Sequence, residues 1–343
     1  MSALLNETPA ARDWANSATR RHSVSIFGSL VPAVVWSDAR GDDGELLVPG
    51  DPIELAARIN DSPCILLHNH DPGKPIGQVL EAAHFETESG EKFVAAILGC
   101  YAGGEALSFR ELSLDTKALV ASPATLPELP VGNWIQLATD PREVDEAWLE
   151  EVINDAPLPI ERTELSHNAA DSVQELIGVG VVYLAVVWNP FVTAIASEAG
   201  KTTYAAIHAW FRKLLEKLAK RRNPILGLHS FQNGCQVSFL FRGRDVKQHY
   251  TAHAALPTAA AQAAQLVAKL KSLGMPLRQL TYEFDMENDL WSPSFAILDD
   301  NRIISDNIAL IALEQLPKGL SLGLSAGKSL FPVIRSVPDE GDE

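Results

Sequence analysis

The chain has 343 residues, 46% hydrophobic and 21% charged, which excludes intrinsic disorder and leaves room for two ordinary domains with a sizeable core. Its 44 acidic against 28 basic residues give a formal charge of −16, the opposite of the balance in domains that grip nucleic-acid backbone, so nucleic acid is set aside as a partner. Cys64, Cys100 and Cys235 form no CxxC pair and no disulfide framework, which suits a reducing cytoplasm, and two of them lie in apolar strand-like runs and read as small buried hydrophobes.

The first residues carry Arg12, Asp13, Arg20 and Arg21 without the apolar core of a secretion signal. Val24–Phe27 and Ala33–Trp36 read as strands, Asp38–Gly44 as a loop and Val48-Pro49-Gly50 as a turn. Over 53–59 the spacing of Ile53, Leu55 or Ala56, and Ile59 predicts a helix. Ile65-Leu66-Leu67 then delivers His68, His70 and Asp71 to a Pro72-Gly73 turn, and strands follow at 76–84 and 93–101 before Gly103-Gly104. A further strand is expected at 118–121.

Three prolines over 122–132 predict a linker, and 140–165 is acidic and partly helical through Val144, Trp148 and Val152. Residues 176–197 carry no formal charge and are long enough to span a bilayer. Asn189-Pro190, Thr193 and Ser197 interrupt that run, so a strand, a turn and a helix are preferred over a membrane-associated effector.

Thr203–Arg222 is amphipathic through Ile207, Trp210 or Phe211, Leu214 and Leu218, and Asn223-Pro224 ends it. Asn233-Gly234 between apolar runs predicts a tight hairpin, with Val237, Phe239 and Phe241 on the buried face. A helix over 257–273 and a second hairpin, with Leu280, Tyr282 and Phe284 answered by Trp291–Leu298, complete the pattern. The order hairpin, helix, hairpin predicts an antiparallel sheet with helices on one side. The expected fold is therefore α+β: a β-rich domain over 1–121, a Pro-rich and acidic linker over 122–165, an α+β domain over 166–335, and an acidic tail over 336–343.

Chemistry is sought first at 68–71. His68 and His70, at i and i+2, share one face of a strand, and imidazole is the side chain that exchanges protons most readily near neutral pH. Asp71 can orient an imidazole or cap the turn at Pro72-Gly73.

The run Asp38…Gly41-Asp42, then Val48-Pro49-Gly50-Asp51, then Leu66-Leu67-His68-Asn69-His70-Asp71-Pro72-Gly73-Lys74-Pro75-Ile76-Gly77 resembles the prohead proteases of tailed phages. The resemblance covers about residues 23–120, and its His-Asp…Pro-Ile-Gly element is the specific part. It implies a compact β-barrel-like serine endopeptidase, self-cleaving or acting on a protein substrate, in a phage-related or bacterial defence setting. By that likeness His70 is the base, and Ser113, in Glu111-Leu112-Ser113-Leu114-Asp115, matches the family's nucleophile run, with Ser108 in reserve. Asp115 stands where the family prefers glycine, and its carboxylate would oppose an oxyanion there. That departure favours the alternative, a non-catalytic binding or structural protein of the same fold. A protein is the expected partner in either case, with a homo-oligomer left open.

His68, His70, Asp71 and His84 also allow a zinc reading, and JAMM-type metalloproteases use His-x-His. That pattern needs Ser where this chain has Gln78, so no metal and no cofactor are expected. Leu322–Ser329 misplaces the first glycine of a phosphate-binding loop, and the basic run Lys213, Lys217, Lys220, Arg221 and Arg222 is explained by a helix C-terminus.

Overall fold

The structure is a computed structural model and describes residues 3–23, 26–40, 44, 46, 50–61, 64–68, 71–116, 135–139, 144–164, 175–181, 198–232 and 234–312. The expected strand at 118–121, the phosphate-loop lookalike and the acidic tail lie outside the described residues. The chain divides into two compact units, the first holding Met1–Leu107 and Asn301–Leu330, the second Ser108–Glu164 and Val173–Asp300.

The first unit opens with two helices, α1 (Ala3–Glu7) and α2 (Pro9–Arg21). Pro9 sits at the start of α2, where its missing N–H costs nothing. Strand β1 (Ser29–Ser37), helix α3 (Pro52–Asp61) and strands β2 (Ile65–Leu67), β3 (Pro75–Glu86), β4 (Lys92–Cys100) and β5 (Ala106–Leu107) follow. The first four strands form an antiparallel sheet in the order β1-β4-β3-β2. It is an open sheet with β1 and β2 at its edges; none of the described sheets closes into the barrel that the sequence resemblance implies.

Both faces of this sheet are covered, which explains why β4 reads as one uninterrupted apolar run. Successive side chains of a strand point to opposite faces. Phe93 and Ala95 meet Leu5, Ala11 and Ala15 of α1 and α2. Val94, Ala96 and Leu98 meet Leu55, Ala56 and Ile59 of α3, together with Trp36, Leu66, Ile76 and Val79. Ile26 and Phe27, expected as strand, form bends beside Gly99 and Gly104 instead.

The second unit contains β6 (Ile135–Thr139), α4 (Glu146–Asn154), β7 (Ile160–Glu164), β8 (Glu175–Val181), α5 (Glu198–Leu218), β9 (Pro224–Gln232), β10 (Cys235–Arg242), α6 (Val246–Ser272), β11 (Leu277–Asp285) and β12 (Leu290–Leu298). Thus β6, α4 and β7 come from the stretch read as linker, and β8 takes up the start of the uncharged run. The rest of that run, 182–197, lies outside the described residues, and among those described no helix is long and apolar enough to cross a membrane.

The sheet order is β12-β11-β10-β9-β8-β6-β7. The two hairpins, β9–β10 and β11–β12, are antiparallel as expected, but the sheet is mixed. Each helix serves as a crossover, so β6–β7, β8–β9 and β10–β11 pair in parallel. Helix α6 begins well before the expected position, at an N-cap where the Asp245 side chain accepts from the backbone N–H groups of Lys247 and Gln248. Pro257, read as its start, lies inside it. The chain finally returns to the first unit as β13 (Ile303–Ile304), paired in parallel with β5, and α7 (Ile308–Ile311), which packs on β3.

Candidate functional site

His68 and Asp71 lie in the link between β2 and β3, and His70 lies outside the described residues. The His68 N–H donates to the Lys74 carbonyl at 3.0 Å, and the Asp71 N–H donates to the His68 carbonyl at 3.1 Å. The Asp71 carboxylate is buried, at 1% exposure. One of its oxygens accepts from the Gly73 N–H at 2.9 Å, and the other is 3.6 Å from Lys74 Nζ. These contacts build a turn cap at Pro72-Gly73.

Gly77 and Gln78 secure the same corner. A Cβ on Gly77 would stand 2.1 Å from the Gly99 carbonyl oxygen, so the Pro-Ile-Gly element is glycine-terminated because two backbones meet there. Gln78 is fully buried, and its amide donates to the Tyr101 hydroxyl and to the Asn301 carbonyl at 3.2 Å. The glutamine that breaks the metalloprotease pattern is thus a tether for the returning C-terminal segment. Among the described residues no group of three His, Cys, Asp or Glu could hold a metal ion.

Ser113 belongs to the second unit, on a turn after β5. Its φ is 55°, in the left-handed region that non-glycine residues seldom adopt. The hydrogen bonds explain it. The Ser113 N–H donates to the Arg110 carbonyl at 3.0 Å, and the Leu114 N–H donates to the Phe109 carbonyl at 3.0 Å. This is the paired pattern of a Schellman motif, with Ser113 at the left-handed position. Phe109 and Leu114, on either side, are both buried. Gln262 of α6 donates to the Thr116 carbonyl at 2.6 Å and pins the end of the turn. Ser113 and Asp115 are exposed, and Ser108 is half-buried.

A bonded serine–histidine pair occurs elsewhere. His229 Nδ1 lies 2.8 Å from Ser238 Oγ, and Gln236 donates to the same oxygen at 3.4 Å. Both partners are 2% exposed. Burial pushes the His229 imidazole down to about 4, so the ring is neutral. Thr281 lies opposite Ser238 in register on β11, and Gln279 donates to its hydroxyl at 3.3 Å. These groups are the chemical parts of an acyl-transfer base and nucleophile, but they sit inside a sheet and satisfy one another. The signal for the pair was in the sequence. A tight turn at Asn233-Gly234 fixes the register, and counting back from it sets His229 opposite Ser238.

The basic end of α5 is neutralised by α4. Lys213 pairs with Asp155 at 3.4 Å, Lys217 with Glu151 at 2.5 Å and Arg221 with Asp145 at 3.6 Å. For these three residues, acidic partners act in addition to the helix dipole.

The chain matches no protein-family model, no curated protein and no solved structure. The likeness to prohead proteases therefore rests on the motif residues themselves.

Proposed function

We propose that this chain is a non-catalytic binding or structural protein in which the protease-like motif residues serve the fold. The observation that carries this reading is the Ser113 turn. Acyl transfer needs backbone N–H groups free to receive an oxyanion, commonly including those at and after the nucleophile. Here the N–H groups of Ser113 and Leu114 are both spent on closing the turn. Asp115 adds an exposed carboxylate next to the site.

A second reading, the serine endopeptidase acting through His70 and Ser113, draws support from one feature. An exposed serine on a positive-φ backbone is the kind of strained position that catalytic nucleophiles occupy.

The two readings part on a pair of variants. Intact mass over time and labelling by a fluorophosphonate are measured on the full chain, Ser113→Ala and Ser113→Gly. If Ser113 is a cap, the wild type is neither labelled nor cut, and Ser113→Gly is more stable than Ser113→Ala by about 1 kcal/mol, because glycine enters the left-handed region freely. Labelling of the wild type that disappears in both variants would establish the peptidase and overturn the binding reading.

A further inference from the structure

Helices α5 and α6 meet through two imidazoles. His208 of α5 and His253 of α6 have ring centroids 4.4 Å apart at an interplanar angle of 54°. Phe211 closes on His253 at 5.0 Å and is backed by Phe241 of β10 at 5.6 Å. His253 is 7% exposed. The charged and titratable groups around the stack come from every neighbouring element. On α5, Arg212 lies 4.1 Å over the Tyr250 ring, and Glu216 accepts from the Tyr250 hydroxyl. On α6, His249 Nε2 is 3.2 Å from the Arg242 carbonyl. On the sheet, Arg242 is paired with Glu283 at 2.7 Å. Both of these carboxylates are thus engaged by other groups. Among the described residues, a proton gained by His253 meets the charges of the second imidazole and Arg212.

We propose that the His208–His253 stack is an acid-sensitive latch between α5 and α6, closed while the His253 ring is neutral and opened when that ring is protonated. Burial first, then the charges of His208 and Arg212, holds the His253 imidazole down to about 3, and burial and Arg212 lower His208 as well. An imidazole released to water titrates near ~6.5, so the open form takes up a proton that the closed form refuses. Opening frees Phe211 and Phe241 from each other and uncovers an apolar surface. The inference is independent of what the Ser113 turn does.

The test is hydrogen exchange of α5 and α6 amides in the full chain from pH 7.5 to pH 5, corrected for the intrinsic pH dependence of exchange. One linked proton raises the opening constant about tenfold per pH unit below ~6.5. His253→Phe keeps the ring stack but cannot be protonated, and is expected to flatten that dependence. His253→Gln gives the same readout should the phenylalanine variant fail to fold. A wild-type opening constant that does not change with pH overturns the proposal. So does a variant that keeps the full tenfold slope, which would assign the proton to a group other than His253.

Discussion

Tyr282 buries its whole side chain, stacks on Phe239 at 5.0 Å and leaves its hydroxyl without a hydrogen-bond partner among the described residues. Burial, and then the neighbouring Cys235, raises its pKa above the usual tyrosine range. A buried donor left unmade costs roughly 1–3 kcal/mol, so Tyr282→Phe should raise stability by on the order of 1 kcal/mol in urea unfolding. A loss of that size would mean that the hydroxyl is bonded after all. Gly77 shows the reverse case. With a carbonyl oxygen 2.1 Å from where a Cβ would stand, Gly77→Ala is expected to cost about 1–3 kcal/mol, read by the same unfolding curves. The sequence marked Gly77 as part of a motif, but its steric reason depends on which strand lies alongside, and that is set by long-range pairing. His229 gives a pH prediction. Its folded pKa, about 4, lies below the value of ~6.5 in the unfolded chain. The unfolded state therefore binds more protons, and the stabilisation is complete above pH ~6.5 and is lost as pH falls from there toward 4. His229→Gln should flatten that part of a stability-against-pH profile.

Elements with a long apolar period or a strong turn were legible, and those with a small-residue face were not. The hairpin joining β9 to β10 forms where expected, with Gly234 at φ 87°. The turns at Glu287–Asp289 and Asp299–Asn301 likewise place Asp289 and Asn301 at positive φ. Helix α2 has little sequence signal because its buried stripe is Ala11, Ala15 and Ala18, which carries little hydrophobic contrast. Helix α6 was shortened because Pro257 resembles a first-turn proline, while its true cap is Asp245. What holds α2 down is also a long-range contact. The Glu81 carboxylate of β3 accepts from Arg21 at 2.5 Å and lies 3.1 Å from His22 Nε2. Burial pushes the Glu81 carboxyl up, but the hydrogen bonds from Arg21 and His22 outweigh it and leave the pKa below the usual value. A carboxyl lowered on folding stabilises above its unfolded pKa, and that contribution fades as pH falls through the folded one. Glu81→Gln should speed amide exchange over Pro9–Arg21 by a few-fold, the scale of a partly exposed ion pair worth about 0.5–1 kcal/mol. Unchanged exchange would show that the alanine stripe alone anchors the helix.

On the scale of the molecule, the α+β class was legible from the alternation of periods, whereas the mixed strand order was not. Parallel pairing appears only once each crossover helix is placed, and hairpin signals speak only for neighbours in sequence. The candidate site was half legible. The strand, turn and strand around His68 and Asp71 formed as read, but the serine chosen from its flanking residues belongs to a left-handed cap. The division of the chain was also hidden, because Asn301–Ala312 rejoins the first unit through β13, α7 and the Gln78 contact. A chain ended at Asp300 should therefore lose amide protection in β3 and β5 while α5 and α6 keep theirs. Equal protection in the two chains would show that the returning segment is dispensable.

That return also sets an order of assembly during synthesis. At roughly 5–20 residues per second, a ribosome that has released β5 needs on the order of ten seconds or more to deliver β13. Throughout that interval the nascent first unit has an unpaired β5 and a Gln78 amide lacking its Asn301 carbonyl, while β6 to β12 of the second unit all emerge before β13 does. The later-made unit can thus pair its described strands before the earlier-made one can.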